Sequence, residues 1–154
     1  MDNRKAFLDT IAFSELGSQL IKISDNGYNV IVGSTPLKPI LFSSYADHPR
    51  RLVHITANLA STAAGRYQLL ARYFDAYKKL LGLPDFSPAS QDAIALQQIR
   101  EGRALDDVDA GRFDIAVGKV RNIWASLPGA GYGQRENKIE ILRAQFAAAG
   151  GRLA

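Results

Sequence analysis

Cysteine is absent from this 154-residue sequence, which therefore folds without disulfides and cannot hold a metal through thiolates. This composition suits a reducing cytosol. Histidine is scarce as well, and the two residues present, His48 and His54, do not match the H-E-x-x-H spacing of zinc enzymes. We therefore expect neither a metal nor another cofactor.

Long apolar runs are also missing. No stretch approaches the roughly 20 consecutive apolar residues that span a bilayer. The N-terminal segment MDNRKAFLDTIAF is charged and then amphipathic, and it lacks the continuous apolar centre of a signal peptide. The sequence therefore predicts synthesis in the cytosol without a signal peptide, and no stable insertion into a membrane.

Dense positive charge is missing too, although the net charge is +4 and the isoelectric point is near 9.5. The densest basic groups are the pairs Lys78–Lys79 and Arg50–Arg51. The charge balance favours an anionic partner, but no helix carries the clustered Lys and Arg of a nucleic-acid recognition helix. We therefore expect no nucleic-acid partner.

The order of predicted elements indicates an α+β fold in one domain, residues 1–154. A first helix is predicted from Asn3 to Ser14 or Leu16, with Gly17 as its stop. The turn DNG and the β-branched residues after it predict a strand over 28–32, and LVHIT predicts a second strand. Because the strands cluster instead of alternating with helices, we expect a small antiparallel sheet beside a mostly helical body, flanking a groove.

Helices are predicted over most of the chain after Ser61. The first, in STAAGRYQLLARYFDAYKKLLG, has Ser61 or Thr62 as its N-cap and Gly82 at its C-terminal end. The next is capped by Ser87, has a proline at its first position and ends at Gly102. Two more are predicted in GRFDIAVGKVRNIWASL and ENKIEILRAQFAAAGG.

Glu15 interrupts an apolar stripe. Phe7, Leu8, Ile11 and Ala12 recur at helical spacing, and Glu15 takes the next place on that face. One interpretation is an exposed residue in the last turn of a fraying helix. The other is a partly desolvated carboxyl near the negative end of the helix dipole. Both effects raise its pKa, as a general acid requires.

The glycine-rich segment GAGYGQ does not indicate nucleotide binding. The dinucleotide motif must follow a strand and open a helix, whereas here a helix precedes the glycines and the G-x-G-x-x-G spacing is broken. The segment is either a flexible connection or a backbone that approaches a ligand, with Tyr132 offering a ring and a hydroxyl.

Several segments are distinctive when taken in order. They are RKAFLD, FSE at 13–15, GYNVIVG, DHPR, STAAGRYQLL, LGLPDFSPASQDAIALQQI and NIWASLPGAGYGQ. Together they cover most of the chain from Arg4 to Gln134, and they resemble the lambda-type phage endolysins. That resemblance implies a lysozyme-like fold with a peptidoglycan-binding cleft.

The resemblance also implies a reaction. Members of that family cleave the β-1,4 bond between N-acetylmuramic acid and N-acetylglucosamine as lytic transglycosylases. The muramyl C6 hydroxyl attacks its own C1 and gives a 1,6-anhydro product. The family's catalytic glutamate ends the first helix, which is the position of Glu15 here.

Further site residues follow from the same resemblance. The pattern Ser61-x-Ala63-x-Gly65-x-x-Gln68 looks like the segment behind the catalytic glutamate in other lytic transglycosylases. It implies that Ser61, Tyr67 and Gln68 are cleft residues. Tyr67 also fits a buried helical stripe, and that alternative stays open.

Tyr132 resembles a cleft tyrosine that orients the glutamate or the substrate. Two segments depart from the family pattern: ELGSQLIKISDNG differs in detail, and the 34–46 loop is longer than usual. We expect this loop to form one lip of the cleft.

Two alternative functions remain open beside the transglycosylase. A hydrolytic muramidase would need a second carboxylate to direct water, and the candidates are Asp25 and Asp47. A catalytically silent wall-binding module would need none. The resemblance implies glycan strands as the substrate and a monomer that waits in the host cytoplasm. A holin would release it to act on the wall from the periplasm.

Overall fold

The computed structural model describes residues 2–131 and 136–154. These residues group into two compact units. We call Met1–Glu15 with Ala95–Ala154 the terminal unit, and Leu16–Ile94 the middle unit. The expectation of a single catalytic domain over residues 1–154 stays a prediction.

The described residues form six helices and one two-stranded sheet. In chain order the elements are α1 (Asn3–Ile23), β1 (Val53–Thr56), β2 (Leu59–Ser61), α2 (Ala71–Leu81), α3 (Pro88–Glu101), α4 (Leu105–Asp109), α5 (Phe113–Val120) and α6 (Ile139–Ala148). The clustered strands within a helical chain confirm the predicted α+β class. Among these helices, none is both long and apolar enough to cross a membrane.

Helix α1 is broken at Gly17. This residue has φ 79° and ψ 156°, a conformation outside the helix that glycine adopts without a steric penalty. The predicted stop at Gly17 is therefore confirmed as a conformational break. A second helical stretch, which the sequence pattern does not predict, continues from there to Ile23. Glu15 lies in the last turn before the break.

The sheet is smaller than the sequence suggested. Strand β1 confirms the strand predicted in LVHIT, and it pairs antiparallel with β2 through Val53↔Ser61 and His54↔Ala60. The strand predicted over 28–32 is wrong, because this segment makes only isolated bridges, Val30↔Leu41 and Ile31↔Ala64. The facing 34–46 loop contains two prolines, which cannot donate to a ladder.

The helix predicted from Ser61 begins ten residues later, at Ala71. Gly65 and Gln68 have left-handed backbones, with φ 86° and 52°, so the chain from 62 to 70 turns instead of coiling into a helix. The prediction that Ser61 or Thr62 starts the helix is therefore wrong. Thr62 nevertheless accepts a hydrogen bond from the first-turn amide of Ala71 at 3.0 Å, from outside the helix.

The later helices follow the predictions more closely. Helix α3 has Pro88 at its first position and is followed by Gly102, as predicted, and Ser87 Oγ accepts from the Ser90 amide at 3.3 Å. Helix α6 is confirmed. Helix α5 ends at Val120 instead of continuing to Leu127, and the short helix α4 has no counterpart in the prediction.

An aromatic cluster forms the centre of the terminal unit. Phe7 of α1, Phe113 of α5 and Phe146 of α6 meet with ring centroids 5.0 to 6.4 Å apart. Trp124 and Leu127 are buried in the same unit. The first segment of α1 and the chain around residue 126 therefore both contribute buried side chains to the terminal unit.

A second aromatic cluster, in the middle unit, contains His48 of the DHPR segment. Its ring lies 4.9 Å from that of Phe86 and 5.9 Å from that of Phe74. His48 Nε2 lies 2.8 Å from the Leu69 carbonyl oxygen and Nδ1 accepts from the Arg50 amide at 2.9 Å. This pattern assigns the neutral tautomer with its proton on Nε2.

We expect His48 to make the protein less stable in acid. Burial lowers the pKa of His48, and the hydrogen bond to the Leu69 carbonyl opposes this shift. Among the charged groups, Arg50 lowers the pKa further, whereas Asp47 and Asp75 raise it. Because the folded state binds this proton less readily than the unfolded state, stability is unaffected above about pH 6.5 and falls as the pH drops below that value. Urea unfolding at a series of pH values measures the slope.

The variant His48→Gln should lose this part of the acid-dependent slope. His54→Gln, at an exposed position of β1, is the matched control and should keep it. An unchanged slope in His48→Gln would contradict the assignment.

Candidate active site

Glu15 is partly buried at the end of the first segment of α1. On the same face, Ile11 and Ala12 are fully buried. The predicted stripe therefore continues into the core of the terminal unit, and Glu15 stands at its edge. The interpretation of Glu15 as an exposed residue in a fraying last turn does not fit this position.

Ser126 is the hydrogen-bond partner of the Glu15 carboxyl. The Ser126 hydroxyl donates to Glu15 Oε2 in a short hydrogen bond. Ser126 follows Trp124 and precedes Leu127, both of which are buried. The serine thus lies in a segment with buried side chains on either side, and its hydroxyl contacts Ser14 and Glu15 of α1.

The pKa of Glu15 is raised above its ordinary value. Burial is the largest cause, and hydrogen bonds from the side chain and backbone of Ser126 oppose it by favouring the charged form. No carboxylate in the described part of the terminal unit contributes to the shift. A raised pKa without a neighbouring ion pair is what a single proton donor needs near neutral pH.

Ser126 belongs to a longer chain of hydrogen bonds. Its Oγ lies 2.8 Å from Ser14 Oγ. Asn137 Nδ2 donates to both the carbonyl oxygen and the Oγ of Ser14, each at 3.1 Å. The backbone N–H of Asn137 donates to the Ser126 carbonyl oxygen at 2.8 Å. All four residues of this chain, with Glu15 at its end, lie in the terminal unit.

The predicted site residues Ser61, Tyr67 and Gln68 lie together in the middle unit. Ser61 ends β2, and its Oγ accepts from the Ala63 amide at 3.1 Å. Gln68 donates from Nε2 to the carbonyl oxygens of Gly65 at 2.8 Å and Val30 at 3.3 Å. Through these bonds, both side chains stabilise the local backbone. Their role in substrate binding stays a prediction.

Tyr67 is 4% exposed and bound through its hydroxyl. It donates to Asp92 Oδ1 at 2.6 Å, and Tyr28 donates to the same carboxylate at 2.9 Å. The guanidinium of Arg66 lies over both rings and donates to the Tyr67 hydroxyl at 3.1 Å. Burial raises the pKa of Tyr67, so the phenol stays protonated. The structure thus supports the core interpretation of this residue.

Tyr132 lies outside the described residues. The part of the glycine-rich segment before it is held by Glu136, whose two carboxylate oxygens accept from the amides of Gly129 at 2.9 Å and Gly131 at 3.0 Å. These bonds lower the pKa of Glu136, which is therefore ionised. The segment before Tyr132 is a bonded turn rather than a free connection.

Asp25 and Asp47, the candidates for a second carboxylate, are both occupied in the middle unit. Asp25 accepts from the Tyr45 hydroxyl at 2.5 Å. Asp47 pairs with Arg50 at 2.8 Å, and this hydrogen bond lowers its pKa. Arg50 also pairs with Asp75 at 2.5 Å. An ion-paired carboxylate with a low pKa is a poor base for activating water.

The first part of the 34–46 loop, residues 34–40, is held by hydrogen bonds. Thr35 and Lys38 exchange backbone hydrogen bonds at 3.1 and 3.2 Å. Ser34 Oγ donates to the Ile31 carbonyl at 2.7 Å and accepts from the Ile40 amide at 2.9 Å. Its position as a lip of a cleft stays a prediction. Within the described ranges, no group of three or more acidic or histidine side chains is placed to hold a metal ion.

Sequence reasoning missed three of the four residues in the chain that ends at Glu15. It identifies Ser14 only as a helix end, and it does not single out Ser126 or Asn137. Ser126 lies in the distinctive segment NIWASLPGAGYGQ, which is the available signal. A serine without a nearby histidine or acid in sequence gives no sign of its partner, because the contact joins residues 111 positions apart.

Solved structures place this fold in the lysozyme-like class. The lysozyme of bacteriophage lambda, solved in complex with a chitohexasaccharide, matches with a TM-score of 0.90 and 54% identity, over 100% of this chain and 98% of that chain. A second structure of lysozyme from bacteriophage lambda matches with a TM-score of 0.87 and 53% identity, with the same coverage.

Sequence comparison gives the family. The model of the Endolysin family matches residues 5–153. The endolysin of Escherichia phage lambda is 56% identical over 97% of this chain and 92% of its own length. The endolysin of Escherichia phage P2 is 49% identical over 97% and 93%. The chain belongs to the endolysin family, and it is an enzyme that degrades peptidoglycan.

Proposed function

We propose that the protein is a lytic transglycosylase. It would cleave the β-1,4 bond between N-acetylmuramic acid and N-acetylglucosamine and form a 1,6-anhydromuramyl end. The observation that carries the proposal is the environment of Glu15. It is a carboxyl with a raised pKa, one serine donor and no second carboxylate acting on it from the described part of its unit. Ordinary glycosidases need two carboxylates.

A single carboxyl can serve both halves of this reaction. Glu15, protonated, donates its proton to the glycosidic oxygen as the bond from C1 to that oxygen breaks. The substrate's own N-acetyl group can stabilise the positive charge that develops at C1. Glu15, now ionised, then takes the proton from the C6 hydroxyl while that oxygen bonds to C1. The carboxyl regains its proton, and no water is consumed.

Substrate binding is proposed for four further residues: Ser61, Tyr67, Gln68 and Tyr132. For Tyr67 we propose an indirect part, because its hydroxyl is bound to Asp92 and its ring is buried. The relative solved with a chitohexasaccharide supports glycan strands as the substrate class. We further propose a monomer that starts in the host cytoplasm and reaches the periplasm with the help of a holin.

Mass spectrometry of digested peptidoglycan tests the reaction. We expect muramyl fragments that end in 1,6-anhydromuramic acid, because the attacking oxygen comes from the sugar itself. Digestion in ¹⁸O-labelled water sharpens the result, since no label should enter these fragments. Digestion by an unrelated hydrolytic muramidase, run in parallel, provides the labelled reducing ends for comparison.

Fragments heavier by one water and carrying the label would contradict the transglycosylase and establish the hydrolytic muramidase. In that case Asp47→Asn and Asp25→Asn would identify the second carboxylate. Wall binding without any new fragment ends would also contradict the transglycosylase.

A further inference from the structure

The hydrogen bonds that lead to Glu15 all donate in the same direction, from Asn137 through Ser14 and Ser126 to the carboxyl. The amide of Asn137 has one group that only donates and one that only accepts. Its Nδ2 faces the Ser14 carbonyl oxygen at 3.1 Å, and a carbonyl oxygen can only accept. This contact fixes the amide orientation, so the same Nδ2 must also donate to Ser14 Oγ at 3.1 Å.

The direction passes through the two serines. Ser14 Oγ accepts from Asn137, and its single proton is free to point at Ser126 Oγ, 2.8 Å away. Ser126 Oγ then accepts from Ser14 and donates its own hydroxyl proton to Glu15 Oε2. Each hydroxyl accepts once and donates once, which satisfies both groups at a partly buried site.

We propose that Asn137, Ser14 and Ser126 are positioning residues that hold Oε2 of Glu15 as an acceptor and so leave Oε1 to carry the proton delivered to the substrate. The inference rests on the proposed role of Glu15 as the acid. Ser126 also acts on this carboxyl through its backbone N–H, but its hydroxyl contact is made to Oε2. An oxygen that already accepts from a fixed O–H is a poor place for a proton, so we assign the proton to Oε1.

The same arrangement stabilises the product of the first step. When the Oε1–H bond breaks and the proton bonds to the leaving oxygen, the negative charge that develops on the carboxylate faces the Ser126 hydroxyl. That donor is already in place, so no reorganisation is needed as the charge forms. When Oε1 later takes the C6 hydroxyl proton, the carboxyl returns to its starting state.

The test measures kcat against pH for Ser126→Ala, with Ser126→Thr as the conservative variant that keeps a hydroxyl. Loss of a hydrogen bond to a charged group should lower kcat by about tenfold or more. It should also move the alkaline limb of the profile to higher pH, because the carboxylate loses a stabilising donor. Burial and Ser126 are the influences on Glu15 from the described residues, and no charged side chain is among them.

An NMR titration of the Glu15 carboxyl carbon gives the same shift without relying on activity. Ser14→Ala should move the titration in the same direction by a smaller amount, because the Ser126 hydroxyl loses the bond that orients it. Ser126→Thr should restore the parent profile. Thr10→Val is the matched control. It removes a buried hydroxyl from the same helix, one that donates to the Ala6 carbonyl and is not part of the chain that ends at Glu15.

A shifted titration in Ser126→Ala and Ser14→Ala, with the parent value in Thr10→Val, supports the proposal. An unshifted titration in both, or an equal shift in Thr10→Val, would overturn it. If Ser126→Ala does not fold, the titration of Ser14→Ala decides alone. Full activity in a Glu15→Gln variant would instead overturn the proposed function, so the two failures are distinguishable.

Discussion

Glu15→Gln is expected to lower the rate of peptidoglycan cleavage by about 10³-fold or more, since removal of a general acid and base typically costs 10²- to 10⁴-fold. Glutamine keeps the size of the side chain and can still accept from Ser126, but it cannot deliver a proton to the glycosidic oxygen. Wall binding should persist. The measurement is the release of soluble fragments from purified peptidoglycan, beside a pull-down of the variant with the same material.

The same substitution should make the protein more stable at neutral pH. Burial raises the pKa of Glu15, so the folded state holds this proton more tightly than the unfolded state does. The contribution of Glu15 to the free energy of unfolding is therefore fully present below the pKa that this carboxyl has in the unfolded state. It is lost as the pH rises through the higher pKa of the folded state. Glutamine carries no charge to bury, and its advantage over glutamate should grow as the pH rises above the ordinary glutamate pKa of 4.5, because burial raises the pKa in the folded state.

Thermal unfolding of parent and variant across this pH range measures the difference. Glu140→Gln is the matched control, because it makes the same chemical change at an exposed position at the start of α6. Glu140→Gln should leave cleavage unchanged. Substantial cleavage by Glu15→Gln, with fragments of the parent type, would show that another group is the acid.

Gly65→Ala is expected to destabilise the folded protein by about 3 kcal/mol, the sum of a left-handed backbone and a steric collision. Gly65 has φ 86°. A Cβ at this position would lie 2.9 Å from Phe86 Cζ and would collide with Gln91 Oε1. Gln91 cannot move freely, because Oε1 accepts from the Arg66 amide at 2.9 Å and Nε2 donates to the Phe86 carbonyl at 2.9 Å.

Two other glycines separate these causes. Gly82 follows α2 with φ 63°, and a Cβ added there would meet open space, so Gly82→Ala should cost only about 1 kcal/mol for the backbone. Gly118 lies inside α5 in open space without a positive φ, so Gly118→Ala should stabilise the helix by about 0.5–1 kcal/mol.

Urea unfolding of the three variants measures this series. We expect Gly65→Ala to be the least stable, Gly82→Ala to be intermediate and Gly118→Ala to be at least as stable as the parent. Equal losses of stability in Gly65→Ala and Gly82→Ala would mean that the collision with Phe86 and Gln91 does not destabilise the fold. The order bears on the proposed substrate-binding residues, since Gly65 belongs to the segment that holds Tyr67 and Gln68.

Local sequence signals were reliable where the chain interacts with its own neighbours. Pro88 and Gly102 delimit α3 because the preferences of proline and glycine act within one helical turn. Gly17 breaks α1 for the same reason. The helix predicted from Ser61 failed because its apolar spacing continues through Gly65 and Gln68, whose backbones are set by contacts with distant segments. Periodicity does not contain that information.

By itself, the sequence determined the α+β class, the break after Leu16 and the place of Glu15 on an apolar stripe, because each depends on residues within a few positions of one another. Only the tertiary structure decided what surrounds the carboxyl. Ser126 and Asn137 reach α1 from more than 100 positions away, and folding alone brings their donors to Ser14 and Glu15. The raised pKa has the same origin, since burial is a property of the packed core and not of the helix.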